Sequence, residues 1–219
     1  LWDEWEAIHF LVQEMSSVAL IPAERITPQS RETLLLAWPY DGLEQHQALL
    51  PRDAVIKAYG GPLTQGDLEA APYEAYIAFA AEPRVKESVP YLGRFGEQIA
   101  LVDCAVEIDE HVWQVELRWE ALTPPTRNYV VFVHLRDEEG IVAQHDGEPA
   151  TGHYPTSLWR SGDIVVDTHV LNVLKSQEGK SHIVVGMYAW PEMERLAVAP
   201  ATGSSTIDEL VVQCQMGNR

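Results

Sequence analysis

The sequence predicts an α+β chain in two parts: a small α/β unit over residues 1–93, followed by an antiparallel β-sandwich of jelly-roll or immunoglobulin-like type over residues 94–219. Two observations predict this division. Before residue 95, some segments carry apolar residues at helical spacing and others are short strand-like runs. After residue 95, apolar and polar residues alternate, and turn residues separate the short apolar runs at regular intervals. Short strands in regular succession are typical of sandwiches and barrels.

Helix and strand signals alternate in the first part, which favours a small α/β unit. In chain order, the predicted elements are an amphipathic helix over residues 3–15, a buried strand over 16–23, a helix that begins near Pro28 after the capping residue Thr27, a short helix over 51–61 closed by Gly60, a strand over 73–81, and a short helix with an exit loop over 82–96.

The clearest strand of the second part lies in residues 111–119. Here Trp113, Val115, Leu117 and Trp119 alternate with polar residues, which predicts a strand with one wet face and these four side chains in the core. We therefore expect no helix longer than about two turns within residues 111–135.

A hairpin is predicted further along the chain, where the residues 137–140 read DEEG between two apolar runs. The apolar runs that follow bring the second part to about eight strands.

Charge and composition exclude several function classes. The 219 residues include 33 acidic and 15 basic side chains, for a net charge of −18, which disfavours nucleic acid and anionic lipid headgroups as partners. No run of 18 apolar residues occurs, so no membrane span is expected within the chain. The N-terminus has no signal-peptide pattern and no initiator Met, which favours a piece of a longer protein.

The two cysteines, Cys104 and Cys214, both lie in apolar strand-like runs. Two interpretations are open: a buried pair of free thiols, or a disulfide that ties the first strand of the sandwich to its last. Because terminal strands of such folds often neighbour each other, we expect the two Cα atoms to lie within about 7 Å.

Residues 94 to 212 carry a set of motifs in the segments "RFGEQIALVDCAVEI", "LRWEALTPPTRNYVVFVHLRDEEGIVAQHDGEPATGHYPTSLWRSGDIVVDTHVL" and "HIVVGMYAWPEMERLAV". This set resembles the soluble C-terminal region of bacterial polytopic membrane proteins of the dolichyl-phosphate-mannose-protein mannosyltransferase type. The family has an FG-x-x-I-x-L entry, a Y-x-VFVHL core, a YPTS-x-W-x-x-G loop and a G-x-Y…ERL ending. The chain departs from it in "LVDCAVEI", where the family more often has a Gly-Tyr pair.

The resemblance implies an extracytoplasmic β-sandwich that is attached to the cell membrane through a parent protein with preceding membrane spans. No catalytic residue of the family can be placed on this chain, so we expect a non-catalytic accessory domain of a glycosyltransferase that binds a glycan or a lipid-linked sugar acceptor. Two alternatives stay open: a structural or protein-interaction domain without a small ligand, and a free-standing hydrolase.

The polar and aromatic loop over residues 144–162 has two interpretations. In the functional one, Tyr154 and Trp159 stack on sugar rings while Asp146, Arg160 and Asp163 bind hydroxyl groups.

In the structural interpretation, which we favour, the loop is a connection between the two sheets. The side chains of Asp146 and Thr156 then form hydrogen bonds within the loop, and Trp159 covers the core.

Other chemistry has weaker support, and no catalytic residue, metal site or cofactor is predicted. Asp167 and His169 share a strand face and form a possible ligand pair, although two residues on a solvated face is the simpler interpretation. Ser157 and Ser161 lie near histidines in the sequence, but there is no G-x-S-x-G motif.

Overall fold

The computed structural model describes residues 32–38, 43–65, 71–84, 90–173, 181–201 and 207–217. Within these ranges the chain is built mostly of β-strands, with one α-helix, α1 (Leu43–Leu49), and two 3-10 turns, Pro149–Gly152 and Thr156–Leu158. The helix expected over residues 3–15 and the strand expected over 16–23 lie outside the described residues.

The larger sheet contains nine strands within the described part of the chain. Their spatial order is β1 (Thr33–Ala37), β5 (Ile77–Pro83), β2 (Ala54–Gly60), β11 (Ile164–Asn172), β8 (Val112–Ala121), β7 (Ile99–Asp109), β6 (Gly93–Phe95) and β14 (Val198–Pro200), and β16 (Gln215–Gly217) pairs with β7. The pairings are antiparallel except β2 with β11 and β16 with β7, which are parallel.

The smaller sheet contains five of the described strands. Their order is β10 (Gly140–Gly147), β9 (Tyr129–Asp137), β12 (His182–Ala189) and β13 (Glu194–Arg195), and β15 (Leu210–Val212) pairs with β12. The hairpin predicted at residues 137–140 is confirmed as the turn between β9 and β10. A separate two-stranded ribbon joins β3 (Leu63–Thr64) to β4 (Tyr73–Glu74).

One hydrophobic core lies between the two sheets, which is the arrangement of a β-sandwich. The central strands β8, β9 and β12 each bury every second side chain in it: Val115, Leu117 and Trp119; Val131, Val133 and Leu135; Ile183, Val185 and Met187. The period-two prediction for β8 is therefore confirmed, although Trp113 at its outer end is only partly buried against this core. No helix interrupts residues 111–135.

The small α/β unit expected before residue 94 is not confirmed. The helix predicted over residues 51–61 is wrong, because these residues form β2, in which Ala54 and Ile56 are buried and Gly60 ends the strand. The helix predicted after Thr27 is also wrong where the structure describes it, since residues 33–37 form β1. Both segments are strands because β5 offers them hydrogen-bonding partners.

The remaining predictions for this region agree more closely with the observed strands. The strand expected over residues 73–81 is present as β4 and β5, with a break at residues 75–76. The exit loop expected before residue 96 contains β6. The division at residues 93 and 94 stays a prediction, and the parallel pairing of β2 with β11 joins strands from both sides of it into one sheet.

The two cysteines form a disulfide between β7 and the segment that leads into β16. Their Cα atoms lie 4.6 Å apart, so the predicted proximity is confirmed and the free-thiol interpretation is wrong. The terminal strands are neighbours because β16 pairs with β7 at Ala105, one residue after Cys104. In the described ranges there is no helix with the length and apolar character that a membrane crossing requires.

Candidate functional site

The candidate site lies at one open edge of the sandwich, between β10 and β11. β10 is the edge strand of the smaller sheet, while β11 belongs to the larger sheet. On β11, the side chains that alternate toward the core are Val165, Asp167, His169 and Leu171, all of which are buried. Two of these four core-facing positions are therefore polar, and they face β10.

A chain of hydrogen bonds connects the two sheets at this edge. His169 Nε2 lies 2.8 Å from Asp167 Oδ2, and His169 Nδ1 lies 2.8 Å from Nδ1 of His145 on β10. Asp167 and His169 are each only 1% exposed, whereas His145 is half-buried. We call Asp167, His169 and His145 the His–Asp relay.

The relay borders an open cleft of about 360 Å³, which we call the His–Asp cleft. The residues that line it are His145, Asp146, Gly147, Glu148, Thr151, Gly152, Asp167, Thr168 and His169. These side chains supply carboxylates, hydroxyls and imidazoles, and none of them is a lysine or an arginine. The cleft therefore offers several hydrogen-bond acceptors and a negative potential to a ligand.

The turn that forms one wall of the cleft is held by the relay's carboxylate. Asp167 Oδ1 accepts a hydrogen bond of 3.0 Å from the backbone N–H of Ala150. Ala150, Thr151 and Gly152 have φ values of 53°, 55° and 83°, which is the left-handed region that ordinary residues seldom adopt. The buried carboxylate thus holds an otherwise costly turn in place.

Burial sets the charge of the relay's outer histidine. Loss of solvent lowers the pKa of His145 below its ordinary value, and the neighbouring His169 lowers it further, while Asp167 and Asp146 oppose the shift. His145 is therefore neutral at pH 7.

Asp146 reaches a second polar cluster on the outer face of the smaller sheet. Its Oδ1 lies 3.4 Å from His134 Nε2, and its Oδ2 accepts a 3.3 Å hydrogen bond from the Tyr188 hydroxyl. Burial lowers the pKa of His134, and Asp146 partly offsets that effect. Burial of Tyr188, together with the neighbouring Asp146, raises the pKa of its hydroxyl.

The aromatic residues of the predicted sugar site lie in the core. Tyr154 and Trp159 are each 1% exposed, so in this conformation neither ring has a face on which a sugar could stack. The indole N–H of Trp159 donates to the backbone carbonyl of Tyr154 at 2.9 Å, and the Tyr154 hydroxyl donates to the carbonyl of Leu158 at 3.2 Å. The predicted burial of Trp159 is therefore confirmed.

Arg160 and Asp163 form a buried ion pair, with a distance of 2.7 Å between Arg160 Nε and Asp163 Oδ2. The guanidinium also donates to the backbone carbonyls of Gln47, Leu50 and Pro51. Burial raises the pKa of Asp163, and the bond from Arg160 opposes that shift. The pair thus ties the loop to the chain around α1, and neither residue lines the His–Asp cleft.

The hydrogen bonds expected within the loop are found elsewhere. The Thr156 hydroxyl accepts the N–H of Tyr129 at 3.0 Å and donates to the carbonyl of Arg127 at 2.8 Å, so it binds the start of β9. Asp146 belongs to β10 and binds β9 and β12 rather than the loop. The prediction of hydrogen bonds within the loop is therefore wrong for these two side chains, whose partners are long-range.

Of the predicted site residues, only Asp146 borders the cleft. His145 and Glu148 were missed as site residues. Asp167 and His169 were named as a possible pair on one strand face, but the favoured expectation that this face is solvated is wrong. Their alternation with Val165 and Leu171 was the available signal, because it places both polar residues on the side of β11 that faces the core.

The remaining chemistry finds little support in the described residues. They contain no group of three or more possible metal ligands in metal-binding geometry. The Ser161 hydroxyl donates to the carbonyl of Leu122, and the contact found for Ser157 is from its amide to Asn128.

Comparison with known proteins adds one finding. No family model and no curated protein matches the chain. The crystal structure of Ruminococcus gnavus beta-glucuronidase aligns with 64% of this chain and 17% of its own length, at 13% sequence identity and a TM-score of 0.25. A likeness at that TM-score carries no argument about fold or function.

Proposed function

We propose that the chain is a non-catalytic, extracytoplasmic accessory domain of a membrane-bound glycosyltransferase, and that it holds a glycan or a sugar acceptor in the His–Asp cleft. The observation that carries this proposal is the open cleft of about 360 Å³ with carboxylate, hydroxyl and imidazole groups converging on it. A sugar presents several hydroxyl donors, and such a cleft supplies acceptors for them. The motifs of residues 94 to 212 supply the link to glycosyltransferases.

The disulfide supports the extracytoplasmic location. Disulfides persist in oxidising compartments and are rare in the cytosol. Cys104 and Cys214 close a loop of 110 residues, so the bond joins the start of the sandwich to its end. In intact cells that produce the full-length parent protein, a membrane-impermeant thiol reagent should label these cysteines only after mild reduction. No labelling after reduction, in cells whose permeabilisation restores it, would contradict this location.

A glycan array followed by isothermal titration calorimetry tests the binding role. Glu148 lines the cleft, so Glu148→Gln should weaken binding by about tenfold, because the amide oxygen of Gln accepts a weaker hydrogen bond than a carboxylate does. The matched control is Glu138→Gln, which removes the same charge from the exposed β9–β10 turn and should leave the affinity unchanged. If no glycan binds the wild-type chain, the proposal is wrong.

A structural or protein-interaction domain is the second candidate function. The observation that favours it is the burial of Tyr154 and Trp159, which makes the loop between β10 and β11 a packed connection. In that case Trp159→Ala lowers stability, and neither the wild type nor the variant binds a sugar.

A further inference from the structure

The His–Asp relay fixes where its protons lie. The carboxylate of Asp167 accepts at Oδ2, so His169 Nε2 carries a hydrogen. In neutral His169 the other nitrogen, Nδ1, then bears a lone pair and accepts from Nδ1–H of His145. Neutral His145 with a hydrogen on Nδ1 has a lone pair on Nε2. When both rings are neutral, the second ring nitrogen of His145, a residue that lines the cleft, is therefore a hydrogen-bond acceptor.

One added proton changes this atom whichever ring takes the charge. If His145 becomes the imidazolium, its Nε2 gains the hydrogen directly. If His169 becomes the imidazolium, its Nδ1–H donates to Nδ1 of His145, and the hydrogen of His145 moves to Nε2. A second proton is disfavoured, because two N–H groups would then face each other across 2.8 Å. The relay accordingly takes up a single proton.

We propose that His145 Nε2 is the atom of the His–Asp cleft that selects its ligand: as an acceptor it binds a hydroxyl donor, and after uptake of one proton it carries a donor and a positive charge that favour a carboxylate over a hydroxyl. The inference rests on the proposed function only where it names the ligand as a sugar. The ligand class at neutral pH is a neutral, hydroxyl-rich sugar, and uptake of the proton shifts the balance toward a uronic acid against the carboxylates that line the cleft.

The charged groups around the relay favour uptake of that one proton. β10 itself carries Asp146, the segment after it carries Glu148, and β11 carries Asp167. The partners opposite the two histidines are apolar, since Val133 on β9 pairs with His145 and Val115 on β8 pairs with His169. The charges that face the relay are carboxylates, which stabilise one imidazolium.

Asp167→Asn should reverse the relay at neutral pH. The N–H of Ala150 is always a donor, so the amide oxygen of the new side chain must face it, as Oδ1 does now. The amide nitrogen then faces His169 Nε2, which becomes the acceptor, and the hydrogen of His169 moves to Nδ1. His145 consequently accepts at Nδ1 and carries its hydrogen on Nε2.

The direct test is long-range ¹H–¹⁵N NMR of the histidine rings in the native chain. At about pH 7.5 the wild type should show an unprotonated Nε2 on His145, and acidification to about pH 5 should protonate that nitrogen. Asp167→Asn should show a protonated Nε2 already at the higher pH, while Glu138→Gln, which removes a carboxylate from the exposed β9–β10 turn, should match the wild type. A protonated Nε2 in the wild type at the higher pH would overturn the inference, as would acidification that leaves Nε2 bare. If the Asn variant does not fold, the wild-type titration alone decides.

Calorimetry with two probes tests the ligand class. A hydroxyl can donate or accept and so binds either form, whereas a carboxylate gains from the added proton. The affinity for glucuronic acid relative to that for mannose should therefore rise several-fold between about pH 7.5 and about pH 5. An unchanged ratio of the two affinities would refute the selecting role of His145 and leave the proposed function standing. If neither sugar binds at either pH, the proposed function fails, and the nitrogen shifts still decide where the proton lies.

Discussion

Several residues of this chain have roles that differ from the ones their chemistry first indicates. Trp159 and Tyr154 are the kinds of side chain that line sugar sites, yet both lie in the core. His169 and Asp167 occupy positions where aliphatic residues would pack, yet they line the cleft. Residue type alone could not separate these roles, because burial depends on which face of which strand meets the opposite sheet.

Replacing Trp159 by Ala should lower the free energy of unfolding by about 3–5 kcal/mol, as for a buried aromatic side chain. Trp159→Phe should cost less, because it keeps most of the packing and loses only the hydrogen bond to Tyr154. The exposed control is Leu63→Ala, since Leu63 is 71% exposed and should be nearly neutral. Urea unfolding measures all three, and a near-neutral Trp159→Ala would refute the anchoring role.

His134 should make the chain less stable in mild acid. Its folded pKa is lowered by burial, so the unfolded chain binds this proton more tightly than the folded one. The contribution of neutral His134 to the free energy of unfolding is therefore fully present above its unfolded pKa, which is near 6.5. It is lost as the pH falls below that value toward the folded pKa. Between about pH 7.5 and 5.5, His134→Gln should consequently lose less stability than the wild type.

The control for that experiment is His182→Gln on the neighbouring strand β12, where the side chain is exposed. Its change in urea midpoint between the two pH values should equal that of the wild type. If the His134 and His182 variants behave alike, the acid sensitivity comes from elsewhere in the chain.

At the scale of elements, sequence period was informative where polar residues mark the wet face of a strand and uninformative where apolar residues occupy both faces. The alternation in β8 correctly predicted which of its side chains enter the core. β1 reads as a run of three leucines, and β2 mixes alanine, lysine and valine, so neither shows a clear period in the sequence. These two segments are strands through pairing with β5, a contact that local pattern does not contain.

The candidate cleft was beyond prediction for a related reason. His145 and His169 lie 24 residues apart and meet only because β10 and β11 belong to different sheets that face each other. The sequence indicated that Asp167 and His169 share a face with Val165 and Leu171, but it could not say that β10 and His145 would lie opposite that face. The predicted loop did contain Asp146, which borders the cleft.

The pairing of β12 with β9 depends on one glycine. Gly186 lies opposite Phe132, and a Cβ added to it would overlap the Phe132 ring. Gly186→Ala should therefore cost about 1–3 kcal/mol through displacement of that ring. Adding Phe132→Leu should recover part of the loss, because the smaller side chain leaves room for the methyl group. Urea unfolding of the two single variants and the double variant gives the coupling, and strictly additive effects would contradict the overlap.

For the whole molecule, the main question is whether the first 93 residues are a separate unit. β2 pairs with β11 in parallel at Ile164, Val165 and Val166, so it fills a place within the larger sheet. The guanidinium of Arg160 binds carbonyls on the other side of the same boundary. Both contacts tie the strands before residue 93 to the sandwich.

A chain of residues 94–219 should consequently be less stable than the full chain. The fragment would expose one edge of β11 and leave unpaired the backbone groups that now form hydrogen bonds with β2. Arg160 would lose three carbonyl acceptors. Each lost hydrogen bond costs about 1 kcal/mol or more. Its urea midpoint should fall well below that of the full chain, and Arg160→Ala in the full chain should reproduce part of the fall. A fragment that unfolds cooperatively at the full-length midpoint would instead establish residues 94–219 as an independent domain.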